Sequence, residues 1–352
     1  MKLEPQQEVI LGVDTHLDVH VGVVISEIGQ LLGTRSVSAT SAGYSDLLSW
    51  ASSFGTLTRA GIEGTGTYGA GLCRFLIDNE ITVLEVNRPD RSKRRQQGKS
   101  DPTDAESAAR AVLSGIATAT PKQQSGACEA MRIISVARRS AVKAKTQAIN
   151  QLRALLVSAP QDIREKLWRA KTGDCVKACA KVRNLGDSVL LQALASTLRS
   201  LAKRWLRLAA ELVQFDKQLE TLTQAHAQQL RSRFGVGPHT AAIVLSVAGD
   251  NPGRLRNEAA LASLCGVNPL PASSGKTTRH RLNRGGSRAA NNALWTIAMV
   301  RMRSDPRTRA YVNRRTAEGL TSKEIHRCLK RYIVRELFPL IMRDLGKLRE
   351  NI

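Results

Sequence analysis

A chain of 352 residues exceeds one typical hydrophobic core and suggests two or three domains. Its formal net charge of +23 works against binding cationic partners and favours a polyanion, nucleic acid being the simplest. No signal peptide, lipidation motif or bilayer-length apolar run is read, and the six cysteines lack zinc-type pairing. A soluble cytoplasmic protein with reduced thiols and no membrane contact is therefore expected.

The charge is segregated. Residues 1–120 hold 11 Lys and Arg against 14 Asp and Glu, whereas residues 231–352 hold 23 against 8. An acidic module able to hold metal is thus separate in sequence from a basic module able to hold phosphate.

In chain order, residues 8–26 (EVILGVDTHLDVHVGVVIS) are read as β-branched residues alternating with polar ones, with a break at 16–18, as two hairpin-linked strands would show. A third strand fits residues 31–38. SAGYSDLLSWASSF predicts a capped helix, TRAGIEGTGTYG a strand entering a glycine-rich turn, GAGLCRFLIDNE a helix and ITVLEVNRP a strand. This β-β-β-α-β-α-β-α order fits a ribonuclease-H type of mixed sheet better than a Rossmann fold, which would open β-α-β. The basic run RSKRRQQGKS reads as an exposed loop. DPTDAESAARAVLSG then restarts a helix, with Asp or Ser capping and proline in the first turn.

Residues 126–156 are helical in pattern, and a second long helix runs over about 187–229 after a break near 158–173. In it Leu191, Leu194, Leu198, Leu201, Trp205, Leu208, Leu212, Phe215, Leu219 and Leu222 alternate three and four apart. That spacing is a heptad seam, either an intramolecular hairpin or a coiled coil between protomers, with a coiled-coil stalk the favoured form. A third segment opens with RFGVGPHTAAIVLSVAGD, whose GVG and small-residue helix suggest a helix-hairpin-helix presenting amides to phosphate. The fold expected is α/β plus α, with domains at 1–125, 126–230 and 231–352, the last mainly helical.

Asp14 stands in the apolar strand of Val9, Ile10, Leu11 and Val13, where an unpaired carboxylate is costly to bury. Glu63 ends the strand after Ala60 and Ile62. Asp101 and Asp104, three apart at a helix start, share a face. Singly, Asp101 and Asp104 read as helix caps and Glu63 as a turn residue. Together, in this fold order, they read as a site for Mg²⁺ or Mn²⁺ that would activate phosphodiester oxygens. His16 and His20 flank the first strand turn and are read as hydrogen-bonded or exposed histidines, not ligands.

The second constellation is PASSGKTTRHRLNRGGSRAANNALWTIAMVRMR. Ser273 and Ser274 precede Gly275, and Lys276, Arg279, Arg281, Arg284 and Arg288 follow as phosphate-binding candidates. Cations nearby make a serine hydroxyl a better nucleophile by stabilising its alkoxide and the phosphate it attacks; the plainer reading is a phosphate-contacting loop. SSGKTT is not a P-loop, because Leu270 occupies the place of the required glycine.

The set Asp14 in GVDTH, Glu63 in IEGTGTYG, and Asp101 and Asp104 in KSDPTDAESAARA resembles the DEDD insertion-sequence transposases, relatives of the Piv-type DNA invertases. The runs GVGPHTAAIVLSVAGD, LASLCGVNPLPASSGK and RGGSRAANNAL resemble that family's second domain. The resemblance implies a RuvC-like N-terminal domain, a joining coiled coil, and a C-terminal serine that attacks DNA. That serine maps to Ser274, with Ser273 as the alternative. It further implies DNA donor and target sites, guidance by a bridge RNA, and a homodimer or homotetramer. Competing readings are a junction-resolvase-like metal endonuclease using water, and a non-enzymatic architectural or RNA-binding protein.

Overall fold

The computed structural model describes residues 7–86, 100–276 and 280–349, and the chain forms two compact units, Met1–Gln124 and Ser125–Ile352. The first unit is built on a five-stranded sheet: β1 (Glu8–Thr15), β2 (Val19–Ser26), β3 (Leu31–Ser38), β4 (Thr56–Glu63) and β5 (Thr82–Val86). Their spatial order is β3-β2-β1-β4-β5. The meander β1-β2-β3 is antiparallel, while β4 runs parallel to both β1 and β5.

Helix α1 (Ser41–Ser52) precedes β4 and α2 (Ala70–Asp78) precedes β5. The Thr40 hydroxyl caps α1 by accepting from the Gly43 N–H at 3.2 Å. Helix α3 (Asp101–Leu113) starts after Ser100 with Pro102 in its first turn, where a missing N–H costs nothing. The expected side-chain cap is not made; the Ser100 hydroxyl bonds the Thr103 hydroxyl instead, at 2.7 Å.

β1 alternates between two cores. Val9, Leu11 and Val13 pack with Leu47 of α1 and Leu72 and Leu76 of α2. Ile10 packs with Val23 and Ile25 of β2 and with Ala105, Ala109 and Val112 of α3. A strand covered on both faces needs a continuous apolar run, and β1 and β2 are buried almost throughout, which corrects the alternation expected of them.

In the second unit, α4 (Ala127–Ser158) and α7 (Val189–His226) form an antiparallel hairpin. Met131 shares a core with Leu219, Lys145 lies over the Trp205 ring at 4.9 Å, and Leu152 shares a core with Leu198. Rising numbers on α4 thus meet falling numbers on α7. Leu194, Leu198, Leu212 and Leu219 of the heptad seam are buried, so the chain's own first long helix covers this face. The anticipated break near 158–173 is itself helical in part: α5 (Gln161–Leu167) and α6 (Thr172–Ala180) close the end of the hairpin. Cys175 and Cys179 are packed there with Leu152 and Leu156, and the cysteines form no disulfides.

The remainder is α8 (Gln228–Arg231), α9 (Pro238–Ala248), α10 (Glu258–Leu264), a ribbon of β6 (Leu270–Pro271) and β7 (His280–Arg281), α11 (Arg288–Ser304), α12 (Pro306–Ala317) and α13 (Ser322–Arg349). The helix-hairpin-helix expectation meets only a four-residue first helix. Its second, α9, is buried from Thr240 to Ala248 apart from a half-buried Ile243, and the Gly237 N–H donates to the Thr240 hydroxyl at 3.0 Å. α9 is therefore mainly a core element. Among the described residues no helix is long and apolar enough to cross a membrane.

Candidate metal site and basic ribbon

Two glycines decide where the acidic side chains meet. Gly12 of β1 pairs with Gly61 of β4. A Cβ on Gly12 would fall 2.1 Å from the Ala105 carbonyl oxygen, and one on Gly61 would fall 2.7 Å from that of Ala108. Helix α3 consequently presses its backbone onto these strands. Side chains two residues apart on a strand share a face, so Asp14 and Glu63 lie on this α3 face of the sheet. Asp101 and Asp104 are each one helical turn before Ala105 and Ala108. A four-residue helix step of ~6 Å matches a two-residue strand step of ~6.6 Å, which brings the first turn of α3 level with the ends of β1 and β4.

Asp14 and Asp104 are buried, while Glu63 and Asp101 are partly accessible. Thr15 ties the two strand ends together, its hydroxyl donating to the Glu63 carbonyl at 2.8 Å. His16 joins the group: its Nε2 lies 3.3 Å from Asp14 Oδ2 and 3.4 Å from Asp101 Oδ1. One ligand atom from each of Asp14, His16 and Asp101 lies within 4.8 Å of the others. His16 is thus exposed and bonded to two carboxylates, in keeping with the expectation, and its place beside them also makes it a candidate metal donor.

Burial pushes the Asp14 carboxyl above the usual carboxylate range. The negative charges of Asp104 and Asp101 push it the same way, and His16 opposes them. A divalent cation would relieve both the burial and the repulsion, and a set dominated by carboxylates suits Mg²⁺ or Mn²⁺, with imidazole better tolerated by Mn²⁺.

In the second unit, Ser274 and the neighbouring Ser273 are exposed on the segment joining β6 to β7. Lys276 follows on the same segment, Arg281 is on β7, Arg284 precedes α11 and Arg288 begins it; all four are exposed. Arg279 lies outside the described residues, as do residues 91–99 of the expected basic loop. Among the described residues, no carboxylate forms an ion pair with Arg281, Arg284 or Arg288, leaving three guanidinium groups available to an anion.

A family model for DEDD transposases of the IS110 type matches residues 11–159, and one for the transposase IS116/IS110/IS902 family matches residues 227–313. The chain belongs to the DEDD insertion-sequence transposase family. The first match takes in all four carboxylates and the second takes in the serines and the ribbon. The chain is also similar to the insertion element IS900 uncharacterized 42 kDa protein of Mycobacterium paratuberculosis, at 28% identity over 157 residues. That match spans 43% of this chain and 39% of the relative's length.

Proposed function

We propose that this transposase family member is a DNA recombinase that cuts and rejoins DNA through a metal-binding acidic centre and a serine nucleophile. The observation carrying the proposal is the packing of α3 on Gly12 and Gly61, which brings Asp101 to Asp14 and lets the Asp104 charge act on it, with Glu63 at the end of the neighbouring strand. The sheet order β3-β2-β1-β4-β5 supports the RuvC-like, ribonuclease-H type assignment for this unit. The four carboxylates would hold Mg²⁺ or Mn²⁺, with His16 as a further donor. When bound, the cation supplies charge neutralisation at a phosphodiester.

Ser274 is the proposed nucleophile, with Ser273 as the alternative. Its hydroxyl gives up a proton, an Oγ–P bond forms and one P–O bond of the strand breaks; the departing oxygen takes a proton. Attack by a second DNA hydroxyl on the phosphoserine then rejoins DNA and restores the serine, exchanging like bonds without an outside energy source. Lys276, Arg279, Arg281, Arg284 and Arg288 are assigned to phosphate binding. The family resemblance supports donor and target DNA sites, a bridge RNA guide and a homodimer or homotetramer, with residues 1–125, 126–230 and 231–352 as functional segments.

The test is a denaturing gel of protein incubated with DNA, flanking RNA and Mg²⁺. A strand-linked adduct that survives boiling, disappears on proteolysis and is missing from Ser274→Ala is expected, with Ser273→Ala retaining it. Strand cleavage by the Ser273→Ala/Ser274→Ala double variant, with no wild-type adduct, would make water the nucleophile and the protein a metal-dependent endonuclease.

A further inference from the structure

The second unit contains a cavity of about 1020 Å³ whose described lining comes from residues 266–295 and 320–335. Six arginines and Lys330 line it against one carboxylate, Glu324. Arg331 and Arg335 pair with Glu258, and Arg327 with Glu324, but Arg281, Arg284 and Arg288 have no acidic partner among the described residues. The Lys330 ammonium donates to Asn291 Oδ1 at 2.9 Å, while Asn291 Nδ2 donates to the carbonyls of Cys265 and Gly266 at 3.1 and 3.0 Å. One donor of the ammonium is therefore engaged and two are left over.

The rim is fixed before any ligand arrives. Gly266 and Gly286 both have positive φ, and a Cβ on Gly286 would fall 2.6 Å from the Gly266 nitrogen. The Ser287 N–H donates to the Leu264 carbonyl at 2.7 Å, and Asn283 Nδ2 donates to Asn268 Oδ1 at 2.6 Å. The loop carrying Arg284 is thus fastened to the loop after α10 by backbone contact.

Two aromatic rings line the same cavity and remain accessible, Trp295 of α11 at 44% and Tyr332 of α13 at 53% exposure. Each is braced by one aromatic neighbour: Trp295 stacks with His326 at 6.3 Å between centroids, and Tyr332 meets Tyr311 edge-on at 5.8 Å. Exposed braced rings among unpaired arginines combine the two elements of single-strand recognition, stacking faces for bases and cations for the backbone. A duplex offers the cations its phosphates but keeps its base faces stacked on one another, so it gains nothing from the rings.

We propose that this cavity, bounded by Arg281, Arg284, Arg288, Trp295, Lys330 and Tyr332, binds unstacked nucleotides of an unpaired nucleic-acid strand. The inference rests on the nucleic-acid reading of the second unit and is independent of Ser274 chemistry and of metal. Full-length Ser274→Ala protein in EDTA is titrated into labelled unpaired DNA, unpaired RNA and blunt DNA duplex, each of about 12 nucleotides or pairs. Trp295→Leu and Tyr332→Leu are each expected to weaken binding of unpaired strand about tenfold and to leave duplex binding within about twofold. Arg284→Ala should weaken all probes and lower the salt slope by about one. Trp295→Phe should keep strand affinity while removing the quenching of tryptophan emission, which reads the stack in a variant that retains the packing. Loss confined to DNA, confined to RNA, or shared by both supports the site and identifies its source. Unchanged strand binding in both leucine variants, or equal loss on duplex, overturns it. Because no cleavage is scored, a negative adduct gel would leave this result standing, and the reverse also holds.

Discussion

In the Met1–Gln124 unit the groups proposed for the chemistry are carboxylates carried by strand ends and a helix start, and Asp14 and Asp104 are buried. In the Ser125–Ile352 unit they are hydroxyl and guanidinium groups on an exposed ribbon and loop. The first arrangement buries Asp14 and sets it near other carboxylates, and both raise its pKa, the burial most. The second leaves its charges in water, where holding them costs little and a polyanion is attracted from a distance. Sub-ångström placement matters in the first and accessible positive charge in the second, so the two should respond differently to substitution.

The largest contrast is expected from Asp14→Asn. Removing one carboxylate of the proposed metal site should lower the rate of adduct formation about a thousandfold, or ~4 kcal/mol of barrier. Unfolding midpoints in EDTA should be unchanged or higher, since a buried charge repelled by Asp101 and Asp104 is gone. An adduct rate within tenfold of wild type would remove Asp14 from the centre. Mg²⁺ or Mn²⁺ should raise the wild-type midpoint and not that of Asp14→Asn, because only the intact site binds the native state selectively.

Leu198→Ala tests the helical hairpin of the second unit, apart from its ribbon. Leu198 is fully buried within the chain, so truncation should cost about 2–5 kcal/mol in denaturant unfolding of the second unit. A loss of oligomer with no loss of stability would return the heptad seam to an interface between protomers. Gly12→Ala sharpens the comparison from the first unit. Its new methyl meets the α3 backbone, and the overpacking should cost about 1–3 kcal/mol and diminish the metal-induced stabilisation. Chemical denaturation followed with and without Mn²⁺ checks both.

The smallest effect concerns pH. His20 is fully buried, stacks on Tyr44 and has no hydrogen-bond partner on either ring nitrogen among the described residues. Burial lowers its pKa below the ordinary value of 6.5. The unfolded chain then binds the proton more readily, so stability is complete above about pH 6.5 and declines as pH falls beneath it. His20→Phe should flatten this decline between about pH 7 and pH 5 relative to wild type. An unaltered pH slope would mean that other groups govern acid sensitivity.

Much was legible locally. The β-branched runs, the glycine-rich turn after Glu63 and the proline in the first turn of α3 announced the mixed sheet and its following helix, because strand and cap preferences act over a few residues. The Asp101–Asp104 spacing was legible for the same reason. His16 was passed over because an isolated histidine carries no sign of its neighbours; only the meeting of β1 with the first turn of α3 sets its imidazole beside two carboxylates. Long-range caps were hidden likewise. Asp250 accepts the Cys128 N–H at 2.8 Å to cap α4, and Asp344 accepts from Gln229 and Leu230 at 3.0 Å each to cap α8. Neither acid is near its helix in sequence.

The amino-acid order by itself determined the segregation of charge, the strand and helix types, the four carboxylates and the serine-arginine segment, since each follows from local propensity or composition. Tertiary structure alone decided that the heptad seam of α7 is covered by α4, that residues 158–188 carry two short helices closing the hairpin, and that Trp295 and Tyr332 line one cavity with Arg284 and Arg288. The reason is that a periodic apolar face specifies only that it will be buried, and an aromatic side chain only that it will find a surface. Which surface each finds depends on the helices that the intervening chain brings alongside.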